Sequence, residues 1–410
     1  MLRQDPQGPE RPTVLHVSRP VDGKVARVVT DLVRCHTAAG VRSVVAAPPG
    51  GTLHRDAAAA GADVVPWPVR PSPGPALAAE TWRLARLIRA VGPHLVHSHG
   101  GRAGCAVRLA VRGRVPTVHQ PHAWAFETAG GATARAALGG ERYAARRADR
   151  VLCASEAERL RGSGAGVPAR WAVIPNGVDL DRCAPAHRED AVRRALRRDL
   201  PALGDLPPDA PLVVCVGRLC PRKGQLSLLR AWPAVAAAVP GARLVLVGDG
   251  PDRELLHAAA PPGVRFAGAA RDAVPWYRAA DLVVLPSRGE GAALAPLEAM
   301  ACGRPVVVTD VGGAGECLPP GAAAHCLVPP TDPAALARAV RGLLTRPGLR
   351  ATLGQRALEH MRAGYDVRDT AAAVLGLYRE LLAPPVPAAP AIPAVPEPAA
   401  RPETRERVGR

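Results

Sequence analysis

Two stretches of the chain alternate between short apolar runs and longer segments whose apolar residues recur every three or four positions. In the first stretch, the segment after Asp22-Gly23-Lys24 has this helical period and is closed by Gly40. Several repeats of an apolar run and a helical segment predict a parallel sheet with helices on both faces. The strands predicted in this stretch are 13–18, 41–47, 94–98, 117–120 and 151–155.

The second stretch begins near Pro211 and predicts a second sheet of the same kind. Asp332-Pro333 marks a helix start, because Asp is a favoured N-cap residue and proline suits the first helical position. The predicted strands are 212–216, 244–247, 282–286 and 305–309. The predicted divisions of the chain are a flexible N-terminus at 1–12, a first domain at 13–185, a linker at 186–210 with an Arg-rich helix, a second domain at 211–365, a terminal helix at 366–383 and a disordered Pro/Ala/Arg-rich tail at 384–410.

Composition narrows the classes of protein to consider. Apolar residues make up 48% of the chain, which is enough to fill two cores. A run of 18 apolar residues and an apolar N-terminal segment are both lacking, which predicts a cytoplasmic protein without a membrane span. The nine cysteines include no C-x-x-C pair, which argues against a disulfide framework or a zinc knuckle. Lys24 and Lys223 are the only lysines among 53 basic residues, and an ammonium beside a phosphate is not equivalent to a guanidinium.

The segment 285–305 is the most informative part of the chain. A predicted strand runs into a loop that carries Glu290, and Pro296 suits the first turn of the helix that follows. The N–H groups of 292–295 would then form an anion site at the helix N-terminus. Glu290 and Glu298 flank this site and could accept hydrogen bonds from sugar hydroxyls. Spacing alone equally allows Glu298 to stabilise only the first helical turn and Glu290 to be solvated.

A second predicted strand end carries Arg218 and Lys223 in a loop that Gly224 closes. Two cations five residues apart can bind a diphosphate there and stabilise it as a leaving group. The alternative is a pair of solvated loop charges. The turn Asp22-Gly23-Lys24 is a third strand-to-helix connection that could approach a phosphate or an acceptor, although turns with a single glycine are common.

Histidines are concentrated in the first half, where nine of the twelve precede residue 190. His97 and His99 end one predicted strand, and His119 and His122 end the next. Neighbouring parallel strands end at one edge of a sheet, so we expect these imidazoles to be exposed at the cleft. Neither an acidic partner nor a ligand spacing supports a metal site there, and a packed structural role is the alternative for each histidine.

Taken in order, these motifs resemble those of the family 4 retaining glycosyltransferases, and the resemblance covers residues 13–383. Glu290 through Glu298 is similar to the family's E-x7-E signature, and Gly217 through Gly224 is similar to its diphosphate segment. Further similar segments are 174–179, 246–251, 97–100 and Pro121-His122. The implied fold is α/β of the GT-B type, with two Rossmann-like, doubly wound parallel-sheet domains that face a central cleft.

The resemblance implies that the first domain binds the acceptor and that the second binds a nucleotide-diphosphate sugar. Glu298 would hold the ribose hydroxyls and Glu290 would position the transferred sugar. Arg218 and Lys223 would bind the diphosphate. His122 would contact the sugar near the reacting carbon.

Backbone groups complete the implied donor site. Gly23 would let the first turn approach the donor, while His97 and His99 would lie on the acceptor side. The terminal helix would cross back onto the first domain. The residues whose backbone would cradle phosphate and sugar are Gly291, Ala292, Ala293 and Leu294.

Three positions depart from the family's usual pattern. The loop that is often Gly-Gly is here Asp22-Gly23-Lys24, and the usual aromatic residue after Glu-Gly is replaced by Ala292. The residue after Pro121-His122 is Ala123 rather than glycine. These departures leave the donor sugar and the acceptor open.

The implied function is retaining transfer of a sugar to a hydroxyl acceptor, in the synthesis of a cell-surface polysaccharide or glycolipid. No metal or other cofactor is expected, because two cations already serve the diphosphate. One alternative is an epimerase that uses the same cleft without an acceptor. A nucleic-acid binder is suggested by the net charge of +17, but this charge is spread over both halves and aromatic residues make up only 3%. No nucleic-acid partner is therefore expected.

A basic helix predicted over 133–150 suggests contact with an anionic membrane leaflet. Leu138 and Tyr143 are its only apolar anchors, so binding would be weak and reversed by salt. The enzyme would then be peripheral on the inner face of the cell membrane and act on a lipid-linked acceptor. An ordinary solvated face and a soluble acceptor are the alternative. The arginines that recur every four residues are Arg142, Arg146 and Arg150.

Overall fold

The computed structural model describes residues 11–69, 76–128, 130–185, 190–200 and 202–384. Most of the N-terminus predicted to be flexible (1–12) lies outside the described residues. The same holds for the predicted tail (384–410), of which only Pro384 is described.

Seven parallel strands form the first sheet, in the spatial order β3-β2-β1-β4-β5-β6-β7. The strands are β1 (Thr13–Ser18), β2 (Arg42–Ala47), β3 (Asp63–Pro66), β4 (Leu95–His99), β5 (Thr117–Gln120), β6 (Arg150–Cys153) and β7 (Trp171–Val173). The helices among and around them are α1 (Gly23–Ala38), α2 (Leu53–Ala59), α3 (Ala76–Val91), α4 (Gly101–Val111), α5 (Ala125–Thr128), α6 (Gly131–Ala145) and α7 (Glu156–Gly164).

Six parallel strands form the second sheet, in the spatial order β10-β9-β8-β11-β12-β13. The strands are β8 (Leu212–Val216), β9 (Arg243–Val247), β10 (Val264–Gly268), β11 (Leu282–Leu285), β12 (Val306–Thr309) and β13 (Leu327–Val328). The remaining helices are α8 (Asp190–Asp199), α9 (Gln225–Ala238), α10 (Arg253–Ala258), α11 (Val274–Ala279), α12 (Leu294–Ala301), α13 (Ala323–Cys326), α14 (Pro333–Leu344), α15 (Pro347–Gly364) and α16 (Val367–Leu382).

Both sheets are covered by helices on their two faces, as the continuous apolar runs of their inner strands predict. Every residue of β1, β4, β5, β11 and β12 is buried. The predicted start of α14 is confirmed, because the Asp332 side chain accepts a hydrogen bond from the N–H of Ala335 at 2.9 Å and Pro333 is the first helical residue. All nine cysteines are free thiols in the structure.

The chain crosses twice between the two sheets. The segment predicted as a linker contains α8, which is fastened to the second sheet by ion pairs from Arg193 and Arg197 to Asp281. This helix therefore lies on the surface of the second sheet's domain. The last helix, α16, packs against α1 of the first sheet, and Val178 pairs with Asp366 just before it. No helix in the described ranges is both long and apolar enough to span a bilayer.

Candidate functional site

Glu290 lies in the loop between β11 and α12, where the second sheet faces the first. Its carboxylate is buried and accepts hydrogen bonds from Lys223 Nζ and, at 2.8 Å, from Ser287 Oγ. Arg222 Nη2 is 3.5 Å from the other carboxylate oxygen. The two sequence motifs predicted to form one donor site thus meet at Glu290.

Close packing of two strand-end loops produces this meeting. Lys223 ends a short 3-10 turn after β8, and Gly224 follows it with a φ of 68°. A Cβ atom at Gly224 would lie 2.0 Å from the carbonyl oxygen of Pro286, which precedes the Glu290 loop. Only glycine permits both this backbone conformation and this approach.

The charge of Glu290 is set by its basic neighbours. Burial would raise the pKa of this carboxyl group, but the cations of Lys223, Lys24 and Arg222, together with the Lys223 hydrogen bond, hold it below its usual range. Glu290 is therefore a carboxylate at neutral pH. A buried carboxylate among cations can accept hydrogen bonds from sugar hydroxyls while the cations attract a phosphate.

The first domain contributes Lys24 and His122 to the same place. Lys24 Nζ donates a hydrogen bond of 2.8 Å to the carbonyl oxygen of His122. A Cβ atom at Gly291 would lie 1.8 Å from that oxygen and 3.1 Å from Lys24 Nζ, so the residue after Glu290 must be a glycine. Sequence reasoning singled out Lys24 as a rare lysine but did not place it beside Glu290.

Glu298 lies one helical turn into α12 and is partly exposed. Its carboxylate forms an ion pair with Arg182, which also contacts Asp272 at 2.8 Å. Glu298 is therefore held by a cation from the chain segment that follows the first sheet. Arg182 is a contributor that the sequence motifs did not reveal.

The N-terminus of α12 carries the backbone groups predicted to cradle phosphate and sugar. Ala293 is the N-cap residue and has no capping side chain, so the first N–H groups of the helix are open to a bound group. Asn176 Nδ2 of the first domain donates a 3.0 Å hydrogen bond to the carbonyl oxygen of Ala292. Leu294, which begins the helix, is buried. Asn176 thus fixes this loop from across the cleft.

Two further predicted residues flank the cluster. Arg218 follows β8 and is exposed, and it makes no ion pair with another residue in the described part of the chain. Gln225 Nε2 donates a 2.9 Å hydrogen bond to its carbonyl oxygen, which fixes the backbone there. Gly23 is the first residue of α1 and is exposed directly before Lys24.

The histidines are not exposed at the cleft, so that expectation is wrong. His16, His97 and His99 are fully buried, because β1 and β4 are inner strands with helices on both faces. His97 Nδ1 lies 2.6 Å from the hydroxyl group of Tyr378 on α16. His97 therefore joins the last helix to the first sheet and does not offer an open acceptor contact.

A series of hydrogen-bonded histidines connects His16 and His99 to His122, whereas His119 contacts Ser98 Oγ at 3.1 Å. His16 Nδ1 is 3.1 Å from His99 Nε2, and His99 Nδ1 is 3.1 Å from His122 Nε2. Burial lowers the pKa of His99 to about 3 and the pKa of His122 well below its usual range, so both rings are neutral at pH 7. His122 has a φ of 60°, and it is the histidine of this series whose carbonyl oxygen contacts Lys24 and lies against Gly291.

One group of possible metal ligands occurs within the described residues. His16, His97 and His99 each place a ring nitrogen within 4.8 Å of the others. His16 Nδ1 is already paired with His99 Nε2, and His97 Nδ1 is paired with the Tyr378 hydroxyl group. His16 Nε2 and His97 Nε2 are buried and have no hydrogen-bond partner. The group lies in the core of the first domain and is linked to the Glu290 region through the contact between His99 and His122.

The predicted basic membrane face does not form as one helical surface. Helix α6 ends at Ala145, and Arg150 already begins β6, where it pairs with a glutamate of α16. Arg142 donates hydrogen bonds to a backbone carbonyl after α7, and Leu138 packs into an apolar cluster under α6. Tyr143 is the exposed apolar residue that is left on this helix, at 56% exposure.

Two family descriptions match the chain. Glycosyltransferase Family 4 matches residues 25–182, and Glycosyl transferases group 1 matches residues 210–346. The first match covers most of the seven-stranded sheet and the second covers the six-stranded sheet. The second match includes Glu290, and the first match begins directly after Lys24.

Curated relatives carry two kinds of name. The D-inositol 3-phosphate glycosyltransferase 2 of Catenulispora acidiphila is 36% identical over 314 residues, which cover 69% of this chain and 70% of the relative. The GDP-mannose-dependent monoacylated alpha-(1-6)-phosphatidylinositol monomannoside mannosyltransferase of Corynebacterium glutamicum is 36% identical over 205 residues. That match covers 47% of this chain and 52% of the relative.

A solved structure with the same arrangement of two sheets is that of Anabaena HepE in complex with UDP-glucose. It superposes with a TM-score of 0.76 at 22% sequence identity, and the match covers 90% of this chain and 99% of HepE. The two parallel-sheet domains and this likeness show the GT-B fold that the sequence resemblance implied.

Proposed function

The chain belongs to glycosyltransferase family 4 and uses a nucleotide-sugar donor, and we propose that it moves the sugar to a hydroxyl acceptor with retention of anomeric configuration. The observation that carries the proposal is the convergence of Lys223, Arg222 and Lys24 on the buried Glu290. Such a cluster suits a ligand that has polar hydroxyls at one end and a diphosphate at the other.

The chemistry assigned to the cluster follows from where charge develops. The bond between the anomeric carbon and the diphosphate breaks, and a bond from that carbon to the acceptor oxygen forms. Arg218 and Lys223 would stabilise the negative charge that grows on the diphosphate. The acceptor proton would pass to the departing phosphate, as the family resemblance implies for attack on the same face.

Each donor part has a proposed partner. Glu290 would accept hydrogen bonds from the sugar, and Glu298 would accept them from the ribose while Arg182 holds its carboxylate. The open N–H groups at the start of α12 would bind phosphate. His122 would face the sugar near the reacting carbon, as a neutral ring held by His99. We propose no metal ion for this step, because Arg218, Arg222 and Lys223 supply positive charge.

The acceptor is proposed to be a hydroxyl of a glycolipid or cell-surface polysaccharide precursor. The names of the two relatives add a chemical class, because each contains an inositol carrying a phosphate. Such an acceptor could be soluble or part of a membrane. Assays with inositol 3-phosphate and with phosphatidylinositol vesicles separate these sources, and vesicle sedimentation tests the peripheral membrane association.

Donor binding is expected to raise the thermal stability of the purified chain. A donor present at 100 times its Kd stabilises the folded state by about 2.7 kcal/mol. A thermal-shift series with UDP-glucose, GDP-mannose and the free nucleotides would identify the donor. Glu298→Ala is expected to weaken the binding of free nucleotide and donor alike, because it removes the proposed ribose contact.

The matched control is Glu156→Ala, which removes an exposed carboxylate that pairs with Arg159 on α7. It should bind every donor like the wild-type chain. Stabilisation by no nucleotide or nucleotide sugar would contradict the proposed donor class. Equal affinities of wild type and Glu298→Ala would contradict the ribose assignment alone.

A further inference from the structure

Both lysines of the chain act on one carboxylate, that of Glu290. Lys223 reaches Glu290 from the second domain, and Lys24 approaches it from the first turn of α1 in the first domain. Lys24 belongs to the turn Asp22-Gly23-Lys24, which departs from the Gly-Gly that is usual in the family's loop. The shared motifs of the donor site do not include this side chain.

Lys24 is fixed where the two domains touch. Its ammonium donates to the His122 carbonyl at 2.8 Å and lies against Gly291, which directly follows Glu290. Lys24 is half-buried, and its desolvation lowers the pKa of the ammonium to about 8. Desolvation disfavours the protonated form of a lysine unless an anion lies nearby. Glu290 is the anion that favours the protonated form of Lys24 most strongly.

The charged groups that face Lys24 come from both domains. Glu290 and Glu158 favour its protonated form, whereas Lys223 and Arg222 disfavour it. The neutral ring of His122 lies beside it. At pH 7 the balance leaves Lys24 protonated.

Donor binding would change which cation serves Glu290. Under the proposed function, Lys223 turns to the diphosphate and its hydrogen bond to Glu290 is lost. A buried carboxylate left without a cation would bind a proton and lose its ability to accept hydrogen bonds from the sugar. Arg222 and Lys24 are then the cations that act on Glu290, and Lys24 has the larger effect because the Arg222 side chain is 40% exposed.

We propose that Lys24 is a positioning residue of the donor site, which keeps Glu290 ionised and aimed at the sugar after Lys223 has turned to the diphosphate. This inference rests on the proposed function. It also makes Lys24 a cross-domain link, because the ammonium bonds to His122 of one domain while its charge acts on Glu290 of the other.

The test compares Lys24→Met, Lys24→Arg and the control Arg27→Met, which removes a positive charge one turn further along α1. We expect Lys24→Met to lower kcat about tenfold and to leave the affinity for free nucleotide unchanged, since Lys24 acts at the sugar end. The acid limb of its pH–rate profile should rise by about one unit, because an opposite charge at this range lowers a carboxyl pKa by about that much.

The alkaline limb supplies a second readout. Lys24 loses its proton above a pKa of about 8, so wild-type kcat should fall there and this fall should be absent in Lys24→Arg, whose charge persists. Lys24→Arg should also keep the wild-type acid limb. Arg27→Met should keep both limbs.

The outcomes separate the inference from the proposed function. An active wild-type enzyme with unchanged kcat and pH limbs in Lys24→Met would overturn the role of Lys24 and leave the proposed function intact. A wild-type chain that consumes none of the nucleotide sugars would overturn the proposed function. Loss of free-nucleotide affinity in Lys24→Met would also contradict the inference, because it would indicate general damage to the site.

Discussion

Glu290→Gln is expected to lower kcat by about 100- to 1,000-fold, the range found when one preorganised group at a transition state is removed. Glutamine keeps the shape of the side chain but removes the charge that Lys223 and Arg222 face. The two cations would then be less well placed, and the sugar would lose a strong acceptor. Initial-rate kinetics at saturating donor measure the effect.

Ser287→Ala is the matched control, because the Ser287 hydroxyl group bonds to the same carboxylate at 2.8 Å without carrying charge. Its effect should be several-fold at most.

The pH dependence has a defined sign, since Glu290 has a pKa below the usual range of a glutamate and stays ionised until the pH falls through that value. The wild-type kcat/KM, which reports the free enzyme, should therefore persist to pH values below 4.5, the ordinary pKa of a glutamate, provided the fold survives. Wild-type turnover by Glu290→Gln would contradict its role.

Lys223→Met is expected to reduce kcat by about 100-fold, because it removes a cation from the proposed leaving group. Lys223→Arg should restore only part of this loss, although arginine is accepted almost everywhere else in the chain. The lysine stem passes 3.7 Å from where a Cβ atom of Gly217 would lie. A longer side chain with a planar guanidinium group would have to pack in the same narrow space beside Gly217 to reach the Glu290 carboxylate.

The control for Lys223 is Arg222→Met in the same turn. Arg222 has 40% of its side chain exposed and lies 3.5 Å from Glu290, so its removal should cost less. Single-turnover measurements with UDP-glucose or GDP-mannose, whichever binds, compare the variants. Full wild-type turnover of Lys223→Arg would show that any cation suffices and that the lysine is not special.

The strands missed by sequence analysis are the four at the edges of the two sheets. The missed strands are β3, β7, β10 and β13. Inner strands are buried on both faces and read as continuous apolar runs, which is why their positions were predicted within one or two residues. Edge strands are shorter or half-exposed, as in Trp171–Val173, and do not carry that pattern.

The motifs of the proposed donor site can be recognised in the sequence because they are local. Glu290 and Glu298 are eight residues apart on a loop and its helix, and Arg218 and Lys223 lie on one strand-end loop. The loops after β8 and β11 meet because these strands are parallel neighbours and therefore end at the same edge of the sheet. The position of Lys24 beside Glu290 was not predictable, since 266 residues separate the two and their proximity depends on how the domains face each other.

The burial of the histidines could not be predicted from the sequence either. A strand-end histidine can face the cleft or the core, and the pattern of apolar neighbours does not decide between them. In the structure, β4 lies between β1 and β5, so His97 sits beside His16 with α16 packed nearby. A terminal helix that returns to the first domain supplies Tyr378, the partner that local reasoning lacks.

The central claim is retaining transfer of a sugar from a nucleotide diphosphate, at the cluster around Glu290. Proton NMR of the first product formed from UDP-glucose or GDP-mannose, with inositol 3-phosphate or phosphatidylinositol as acceptor, tests it most directly. The account predicts that the new glycosidic bond has the anomeric configuration of the donor at the earliest times, and that this signal is lost in Glu290→Gln. An inverted anomer in the first product, or undiminished product from Glu290→Gln, would contradict it.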